Sequence, residues 1–492
     1  MTRTKAAQPA RAKDRSGESI PTLLAGVQRH AVDWFAALGT RPVRASATPD
    51  ELREMLGGPL PQRGSNSSAV TEALAAAGRT GTIASGGPRF FGFVIGGSVP
   101  ASLAADWLVS VWDQNPGVFV MSPLASVVEG IAGAWLRELA GLPPTMSFGF
   151  VTGCHMASFT GLAAGRHRVL QDAGWNAEAD GLFGAPPIEV IVSEESHYTV
   201  MSALRLLGLG GNRVRRIATD GQGRMRAAEL ATALRGHRGP AIVCAQAGNV
   251  NTGAIDPLSE IAEISRESGA WLHVDGAFGL WAAASPERAA QVRGIESSDS
   301  IATDAHKWLN VPYDCGIVFC ADEAAHRSAM TVGAAYIATG GGERDPHEFV
   351  PEESRRARAI PVYAAIRSLG REGVAALVER NCRQARRFAD ALRAAGYEVR
   401  NEVKLNQVLV SFGTDEQTKR TIAAIQQDGT CWCGGTVWKG RASMRISVCN
   451  WSTTDADIDK SIEAILRAAQ THAPPTAAST AGVQAADAGD GG

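Results

Sequence analysis

The chain has 492 residues, of which 45% are hydrophobic and 20% are charged, and its formal net charge at pH 7 is -2. This length predicts two or three structural units, and the composition is ordinary for a globular protein. A chain so close to neutral lacks the basic surface that nucleic-acid binding requires, and no apolar run is long enough to cross a membrane. Neither nucleic acid nor a membrane is therefore an expected partner.

The two ends of the chain are predicted to be disordered tails. Residues 1–18 are rich in Arg, Lys, Ala and Ser without apolar periodicity, and residues 471–492 are a low-complexity stretch of Ala, Pro, Thr and Gly. The start has neither the apolar middle of a signal peptide nor the amphipathic pattern of a transit peptide, so we expect a cytoplasmic protein. A short helical segment is expected over residues 19–60.

Alternating helix and strand patterns predict a large α/β domain over residues 61–335. Pro123 opens a helix that Gly141 ends, and a second helix is predicted over residues 257–268. Short runs that are apolar on both faces predict strands buried in a mostly parallel sheet. These runs are residues 188–192, 241–246, 271–275, 300–303 and 316–320.

The pattern changes after the large domain. Residues 339–356 contain three glycines and many charges, which is typical of a mobile loop over a cleft, and we assign the loop to 336–356. A long helical region, strand patterns that include a hairpin, and a last helix after Thr453 follow. They predict a smaller α+β domain over residues 357–470.

The eight cysteines are spread thinly, and most lie inside apolar stretches. This distribution favours reduced core residues over a disulfide framework. Cys431 and Cys433 lack zinc-finger spacing and a second pair, so no metal site is expected.

Four polar features follow predicted strands, where open α/β sheets bind their ligands. The glycine turn at Gly153 feeds a helix whose N-terminus can cradle a phosphate, although many such turns serve geometry alone. His197 is either a structural histidine or a flat group that stacks on an aromatic ring. Asp275 needs a cationic partner if it is buried, unless it only caps a loop or helix. Lys307 is a solvated loop lysine, a partner of Asp304, or a nucleophile.

Taken together, the four features describe a pyridoxal phosphate site. The carboxylate would keep the pyridine nitrogen of the cofactor protonated. The lysine would hold the cofactor as a Schiff base until the amine of the substrate displaces it.

The sequence also resembles a known family. The segments HVDGAFG, DSIATDAHKWLNVPYDCG, NTGAIDP and MRISVCNWSTTDADID are similar to the group II pyridoxal-phosphate-dependent amino-acid decarboxylases, which include the aromatic-amino-acid and glutamate decarboxylases. The resemblance covers roughly residues 60–468. It implies fold type I, the aspartate-aminotransferase-like α/β fold, with a mostly parallel sheet of seven strands flanked by helices. It also implies a homodimer with active sites at the subunit interface.

The resemblance implies roles for individual residues. Lys307 would form the Schiff base, Asp275 would contact the pyridinium nitrogen, and His197 would stack on the ring. Ala277 would pack on the opposite face of the ring, and Arg445 matches an arginine that faces the substrate carboxylate in glutamate decarboxylases. The implied phosphate contacts are Gly153, Cys154, His155, Met156 and His306.

Several positions depart from the family pattern. Gln246 and Asn249 stand where threonines are common, so the assignment of Gln246 as a cofactor contact is open. Asp304 replaces a common asparagine, and we expect its charge to face away from the phosphate and toward a Lys or Arg side chain. The family places a proton-donating tyrosine on the mobile loop. Here no tyrosine follows Tyr336 in the loop, which leaves His347 as the best local proton donor unless it is only solvated.

The substrate pocket is predicted in residues 88–115, where Phe93 and Trp107 supply aromatic walls, although such residues also pack cores. We expect a decarboxylase of an apolar or aromatic L-amino acid that acts through a lysine Schiff base and a quinonoid intermediate. The alternatives on the same fold are oxidative deamination to an aldehyde, transamination and carbon–carbon bond cleavage. A structural homologue that has lost the cofactor is a further alternative.

Overall fold

A seven-stranded β-sheet is the centre of the protein, whose computed structural model describes residues 17–331 and 342–472. The strands are β1 Ser147–Val151, β2 Glu189–Ser193, β3 Arg215–Ile217, β4 Ala241–Gln246, β5 Trp271–Asp275, β6 Ser300–Asp304 and β7 Gly316–Cys320. Their order across the sheet is β1-β7-β6-β5-β4-β2-β3, and within this sheet only β7 runs antiparallel to its neighbours. The predicted mostly parallel sheet is confirmed.

All five predicted strands form, and three of them have the predicted bounds. The sequence patterns did not identify β1 and β3. The strand β3 carries Arg215 and Arg216 and lies at the sheet edge, where it pairs only with β2. An edge strand with exposed charges has no apolar run by which a pattern could identify it.

The sheet is buried on both faces. In β4, the side chains of Ile242 and Cys244 pack into one apolar cluster, whereas Ala241, Val243 and Ala245 pack into another. Successive residues of a strand point to opposite faces, so this division places one cluster on each side of the sheet.

Helices surround this sheet. The described helices are α1 Ile20–Ala37, α2 Pro49–Leu56, α3 Ser67–Gly81, α4 Pro100–Trp112, α5 Pro123–Leu139, α6 Cys154–Asp172, α7 Ala177–Asp180, α8 Tyr198–Leu206, α9 Ala227–Leu234, α10 Leu258–Glu267, α11 Glu323–Met330, α12 Ala359–Ala394, α13 Asp415–Asp428 and α14 Asp455–His472. Short 3₁₀ helices cover Gly279–Ala284, Ala289–Val292, Ile295–Ser297 and Pro346–Phe349. The helix α5 starts at Pro123 and ends before Gly141, as predicted.

The predicted smaller C-terminal unit contains a second, antiparallel sheet. Its strands are β8 Glu398–Val399, β9 Gln407–Ser411, β10 Gly434–Trp438 and β11 Arg441–Ser447, in the order β10-β11-β9-β8. The strands β10 and β11 form the predicted hairpin. The long helix α12 leads into this unit and bends at Gly370, where φ is 65°. The numerical bounds of the two domains stay predictions.

The segment 342–356 is fixed to the edge of the large sheet. The side chain of Arg355 is fully buried, forms an ion pair of 2.8 Å with Glu129 of α5, and donates to the carbonyl oxygen of Phe150 at 2.6 Å. Phe349 and Val350 are also buried. The remainder of the predicted loop up to position 341, and the tails at 1–16 and 473–492, lie outside the described residues.

All eight cysteines are buried and free, as the sequence predicted. Within the two described stretches of the chain, no helix combines the length and the apolar character needed to cross a membrane.

Candidate active site

Lys307 and Asp275 come together at the carboxyl edge of the large sheet. Asp275 is the last residue of β5, and Lys307 follows the end of the neighbouring strand β6 by three residues. Because parallel strands end at the same edge, two polar residues placed after adjacent strands become neighbours. The sequence prediction that these positions share one site is consistent with this placement.

The amine of Lys307 is paired inside the protein. Its Nζ lies 2.8 Å from Oδ2 of Asp304, whose side chain is only 3% exposed. Burial acts to lower the pKa of Lys307, but the carboxylate of Asp304 outweighs it, so the pKa lies above its usual value. The lysine is therefore held as an ammonium in this arrangement.

Asp275 is buried without a cation. Its Oδ1 accepts hydrogen bonds from the backbone N–H of Ala277 at 3.1 Å and from the thiol of Cys154 at 3.3 Å. Burial raises the pKa of that thiol, which keeps it protonated as a donor. No Lys, Arg or His of residues 17–331 or 342–472 forms an ion pair with Asp275. The predicted cationic partner is thus not a side chain of the described chain, and Oδ2 is left for another group.

The predicted phosphate cradle is the N-terminus of α6. Its first backbone N–H, from Cys154, donates to Oδ1 of Asp304 at 2.5 Å. The expectation that Asp304 faces away from this cradle is therefore wrong, although its expected pairing with a lysine is confirmed. A helix N-terminus attracts anions, and in this structure the nearest anion is the carboxylate of Asp304.

Two histidines flank the cradle. The Nε2 of His155 is buried and has no hydrogen-bond partner among the described residues. His306 places Nε2 at 3.5 Å from Oδ1 of Asp304, accepts from the backbone N–H of Cys315 at 3.1 Å, and stacks on Tyr313. Burial lowers the pKa of His306. The ring of His306 can therefore donate or accept a hydrogen bond at the cradle without adding a positive charge.

Gly153 and Met156 complete the predicted phosphate segment. A Cβ at Gly153 would come within 3.3 Å of the His306 ring and 3.4 Å of Oδ1 of Asp304, so glycine keeps the cradle open. The side chain of Met156 packs instead against the apolar cluster beneath the sheet. Gly153 therefore borders the cradle, whereas the side chain of Met156 does not.

His197 forms the N-cap of α8. Its Nδ1 lies 2.7 Å from Oγ1 of Thr199, which fixes the orientation of the ring. Burial lowers the pKa of His197, and the charges of Lys307 and Arg445 lower it further although Asp275 opposes them. The imidazole is therefore neutral at pH 7, as a ring that stacks on an aromatic group should be.

Ala277 and Gln246 line the same edge. The carbonyl oxygen of Ala277 accepts from the backbone N–H of Asp304 at 3.1 Å, so its peptide links the turns after β5 and β6. The side chain of Gln246 donates to the carbonyl oxygen of Glu195 at 3.5 Å, close to His197 in sequence. Asn249 instead accepts from the backbone N–H groups of Asn251 and Thr252, which is a turn role.

Arg445 projects from β11 of the C-terminal sheet toward this edge, since its charge acts on His197. Its Nε is buried and has no hydrogen-bond partner, and no carboxylate of the described chain pairs with it. Burial lowers its pKa. A buried N–H group without an acceptor is costly, and an anionic ligand would satisfy it.

The predicted pocket segment lies against Lys307. A Cβ at Gly96 would clash with the carbonyl oxygen of Lys307, so the two backbones are in contact. Phe93 is 63% exposed, has a φ of 52°, and stacks on Trp432 with ring centroids 5.3 Å apart. Trp107 is 41% exposed on α4. Both predicted wall residues are thus open to a ligand or to another protein surface.

His347 is not brought to this cluster. It lies buried in the 3₁₀ helix Pro346–Phe349, where its backbone N–H donates to Gly117 and its Nδ1 lies 3.1 Å from a carboxylate oxygen of Glu353. Within the described residues, none of its partners belongs to the Lys307 cluster. The alternative of a merely solvated histidine is wrong, because His347 is only 3% exposed.

Sequence patterns missed three contacts at the site. They are the thiol of Cys154 on Asp275, the hydroxyl of Thr199 on His197, and the stacking of Trp432 on Phe93. Of these three, only the contact between His197 and Thr199 could have been predicted from spacing, because an N-cap side chain commonly contacts the second helical residue.

Comparisons with known proteins give a consistent result. The family model described as "Pyridoxal-dependent decarboxylase conserved domain" matches residues 49–414. An aromatic-L-amino-acid decarboxylase of Bacillus atrophaeus is 27% identical over 445 residues, which are 87% of this chain and 90% of the relative. An L-2,4-diaminobutyrate decarboxylase of Rhizobium meliloti (strain 1021) is 30% identical over 384 residues, with 75% of each chain covered. The crystal structure of Oryza sativa TDC with PLP and tryptamine has a TM-score of 0.87 at 22% identity and covers 95% of this chain and 100% of that chain.

Proposed function

The chain belongs to the pyridoxal-dependent decarboxylase family, and from this premise we propose that Lys307, Asp275 and His197 hold its cofactor. The protein is an amino-acid decarboxylase of fold type I, and its cofactor is pyridoxal 5′-phosphate. The observation that carries the proposal is the buried carboxylate of Asp275, which lacks a cation of its own although the partly buried Lys307 lies at the same sheet edge.

The described residues fit this cofactor. Three polar atoms at the site have no hydrogen-bond partner among the described residues: Oδ2 of Asp275, and the buried Nε2 of His155 and Nε of Arg445. A protonated ring nitrogen, a phosphate and a substrate carboxylate would satisfy these three atoms in turn. Buried polar groups are seldom left without partners, so this set supports a ligand of that composition.

Pyridoxal phosphate, when bound, supplies an electron sink that is conjugated to the substrate nitrogen. Oδ1 of Asp275 is already occupied by two donors, so Oδ2 is the atom available to hold a proton at the ring nitrogen. Lys307 must release a proton from Nζ before it can act as a nucleophile, and Asp304 is the adjacent group that now holds it as an ammonium. The neutral ring of His197 would orient the cofactor by stacking.

Arg445 is proposed to bind the carboxylate of the substrate. Because a guanidinium binds a carboxylate through two parallel hydrogen bonds, the point charge of a lysine cannot replace it. We expect Arg445→Lys to raise KM by about tenfold or more, from the loss of a charge-assisted hydrogen bond. Steady-state kinetics with the preferred amino acid would measure this effect.

A matched control for Arg445 is available in the same strand. Arg441 is exposed and pairs with Glu398 at 3.0 Å, so Arg441→Lys should leave KM unchanged. A lower melting temperature with unchanged kinetics in Arg445→Lys would instead indicate a purely structural arginine.

A homodimer is also proposed. The helices α4 and α5 and the segment between them present a large apolar surface to solvent, which a monomer of this size seldom leaves exposed. The exposed residues are Trp107, Leu108, Val111, Trp112, Val120, Met121, Leu124, Val127 and Ile131. A second copy of the chain would cover this surface beside the pocket segment. The eight free cysteines support a reducing compartment, which we propose to be the cytoplasm.

The proposed substrate is an apolar or aromatic L-amino acid. The exposed aromatic side chains of Phe93 and Trp107 support this class, whereas one relative is named for diaminobutyrate. Incubation with a panel of aromatic, aliphatic and diamino acids should release carbon dioxide and the amine from an aromatic or apolar member. Stoichiometric oxygen consumption with aldehyde, ammonia and peroxide would contradict decarboxylation as the main reaction.

The same product analysis tests whether His347 is the proton donor. Since the described contacts of His347 are structural, His347→Phe should lower the melting temperature and leave the ratio of amine to aldehyde unchanged. A shift of product toward aldehyde would identify His347 as the proton donor after all.

A further inference from the structure

We infer that Asp304 is a built-in counter-anion that takes the place of the cofactor phosphate at the N-terminus of α6. Loading of the cofactor then requires the carboxylate to leave both the Cys154 N–H and the Lys307 amine. The inference rests on the proposed function, because it assumes that pyridoxal phosphate binds at this cradle.

The contacts of Asp304 define this role. Oδ1 accepts from the backbone N–H of Cys154 at 2.5 Å, and Oδ2 lies 2.8 Å from Nζ of Lys307. The residue is only 2% exposed, so water offers its charge no alternative solvation. The carboxylate therefore occupies at once the helix N–H that a cofactor phosphate would need and the lysine amine that a cofactor aldehyde would need.

The backbone of Asp304 is held in place beside the cradle by two hydrogen bonds. Its N–H donates to the carbonyl oxygen of Ala277 at 3.1 Å, and its carbonyl oxygen accepts from Nε1 of Trp281 at 3.0 Å. Both bonds belong to the buried end of β6. Only rotation of the side chain can remove the carboxylate from the cradle, so it stays close to any phosphate that binds there.

The other groups around the cradle add little positive charge. Burial lowers the pKa of both His306 and His197, and burial raises the pKa of Tyr313 to about 12, so these three are neutral at pH 7. The thiols of Cys154 and Cys315 are protonated because burial raises their pKa, and Asp275 is a second carboxylate. Of the Lys and Arg side chains in the described residues, Lys307 is the one that pairs with Asp304, and a dianionic phosphate would meet the like charge of this carboxylate.

An amide at position 304 would remove this repulsion between the carboxylate and a bound phosphate. Asn has the shape of Asp but no charge, and its NH₂ group can donate to a phosphate oxygen. Asp304→Asn should therefore strengthen the binding of pyridoxal phosphate. Pyridoxal, which lacks the phosphate, reports separately on the loss of the Asp304–Lys307 pair.

The experiment compares these two ligands on the full-length chain. Wild type and Asp304→Asn are freed of cofactor and titrated with pyridoxal phosphate or pyridoxal, and the visible absorbance of the lysine-bound ligand gives each Kd. The ratio of the pyridoxal Kd to the pyridoxal phosphate Kd should rise by about tenfold or more in Asp304→Asn, because one like-charge contact is removed. Inorganic phosphate should compete more strongly in the variant.

The control is Asp314→Asn, which makes the same charge change at a side chain that is 42% exposed and pairs with Arg358 at 2.8 Å. This control variant should have the same ratio of the pyridoxal Kd to the pyridoxal phosphate Kd as wild type. An unchanged or lower ratio in Asp304→Asn would overturn the inference. Failure of both wild type and variant to bind either ligand would instead contradict the proposed cofactor site, so the two failures are distinguishable.

Discussion

Lys307→Ala should lose the visible absorbance band of the bound cofactor and reduce turnover by about 10³-fold or more, the scale expected when a covalent nucleophile is removed. The amine of Lys307 is the only lysine nitrogen found among the described residues at this cluster, so no neighbour can replace it. Ultraviolet–visible spectra would measure the loss of the band, and carbon dioxide release would measure the loss of turnover. A colourless wild-type protein that gains no band with added cofactor would contradict the assignment.

The alanine variant alone is open to misinterpretation, because it leaves the carboxylate of Asp304 buried without its cation. Lys307→Arg keeps a positive charge beside Asp304 but cannot form the covalent bond. It should fold with a melting temperature near that of wild type and remain colourless and inactive. Lys404, which is exposed, provides the control: Lys404→Ala should keep both the band and the turnover.

Asp275→Asn should keep the absorbance band and lose about 10²–10³-fold in kcat, because removal of a preorganised electrostatic partner has effects of this size. The amide can still accept from the N–H of Ala277, so the local structure should persist. What it loses is the negative charge that holds a proton at the ring nitrogen. Spectra and single-turnover kinetics would separate cofactor retention from rate.

The control for Asp275 lies at the opposite end of the same pair of strands. Asp299 precedes β6 and accepts from the backbone N–H of Leu272 at 2.7 Å. Asp299→Asn should alter stability and leave kcat unchanged. A near-normal kcat in Asp275→Asn would show that another group stabilises the reacting charge.

Local patterns predicted the framework of the site because its chemistry follows strands that are apolar on both faces. The strands β4 and β5 have the predicted bounds, and Asp275 lies at the predicted end. In contrast, Phe90 stacks on Trp432, more than 300 residues further along the chain, at a centroid distance of 5.0 Å. A contact between two segments so far apart in the chain depends on the tertiary fold, which no local periodicity predicts.

The direction of the Asp304 side chain is a second feature that local sequence patterns do not predict. Its strand was predicted, yet a carboxylate after a strand can turn toward a lysine, a helix N-terminus or solvent, and sequence does not rank these options. In the structure it reaches the first two together. Likewise, Arg445 was identified only by resemblance, because its unpartnered guanidinium becomes visible once the surrounding residues are placed.

The burial of all eight cysteines has a consequence for the handling of the protein. Alkylating and disulfide-exchange reagents react with thiolates, and here burial both blocks access and raises the pKa of thiols such as Cys244 and Cys382 to about 12. A native molecule therefore carries no readily reactive thiol, and each labelled cysteine marks a molecule that has opened. Cysteine labelling thus reports unfolding both at the large sheet, through residues such as Cys244 and Cys320, and in the C-terminal unit, through residues such as Cys431 and Cys449.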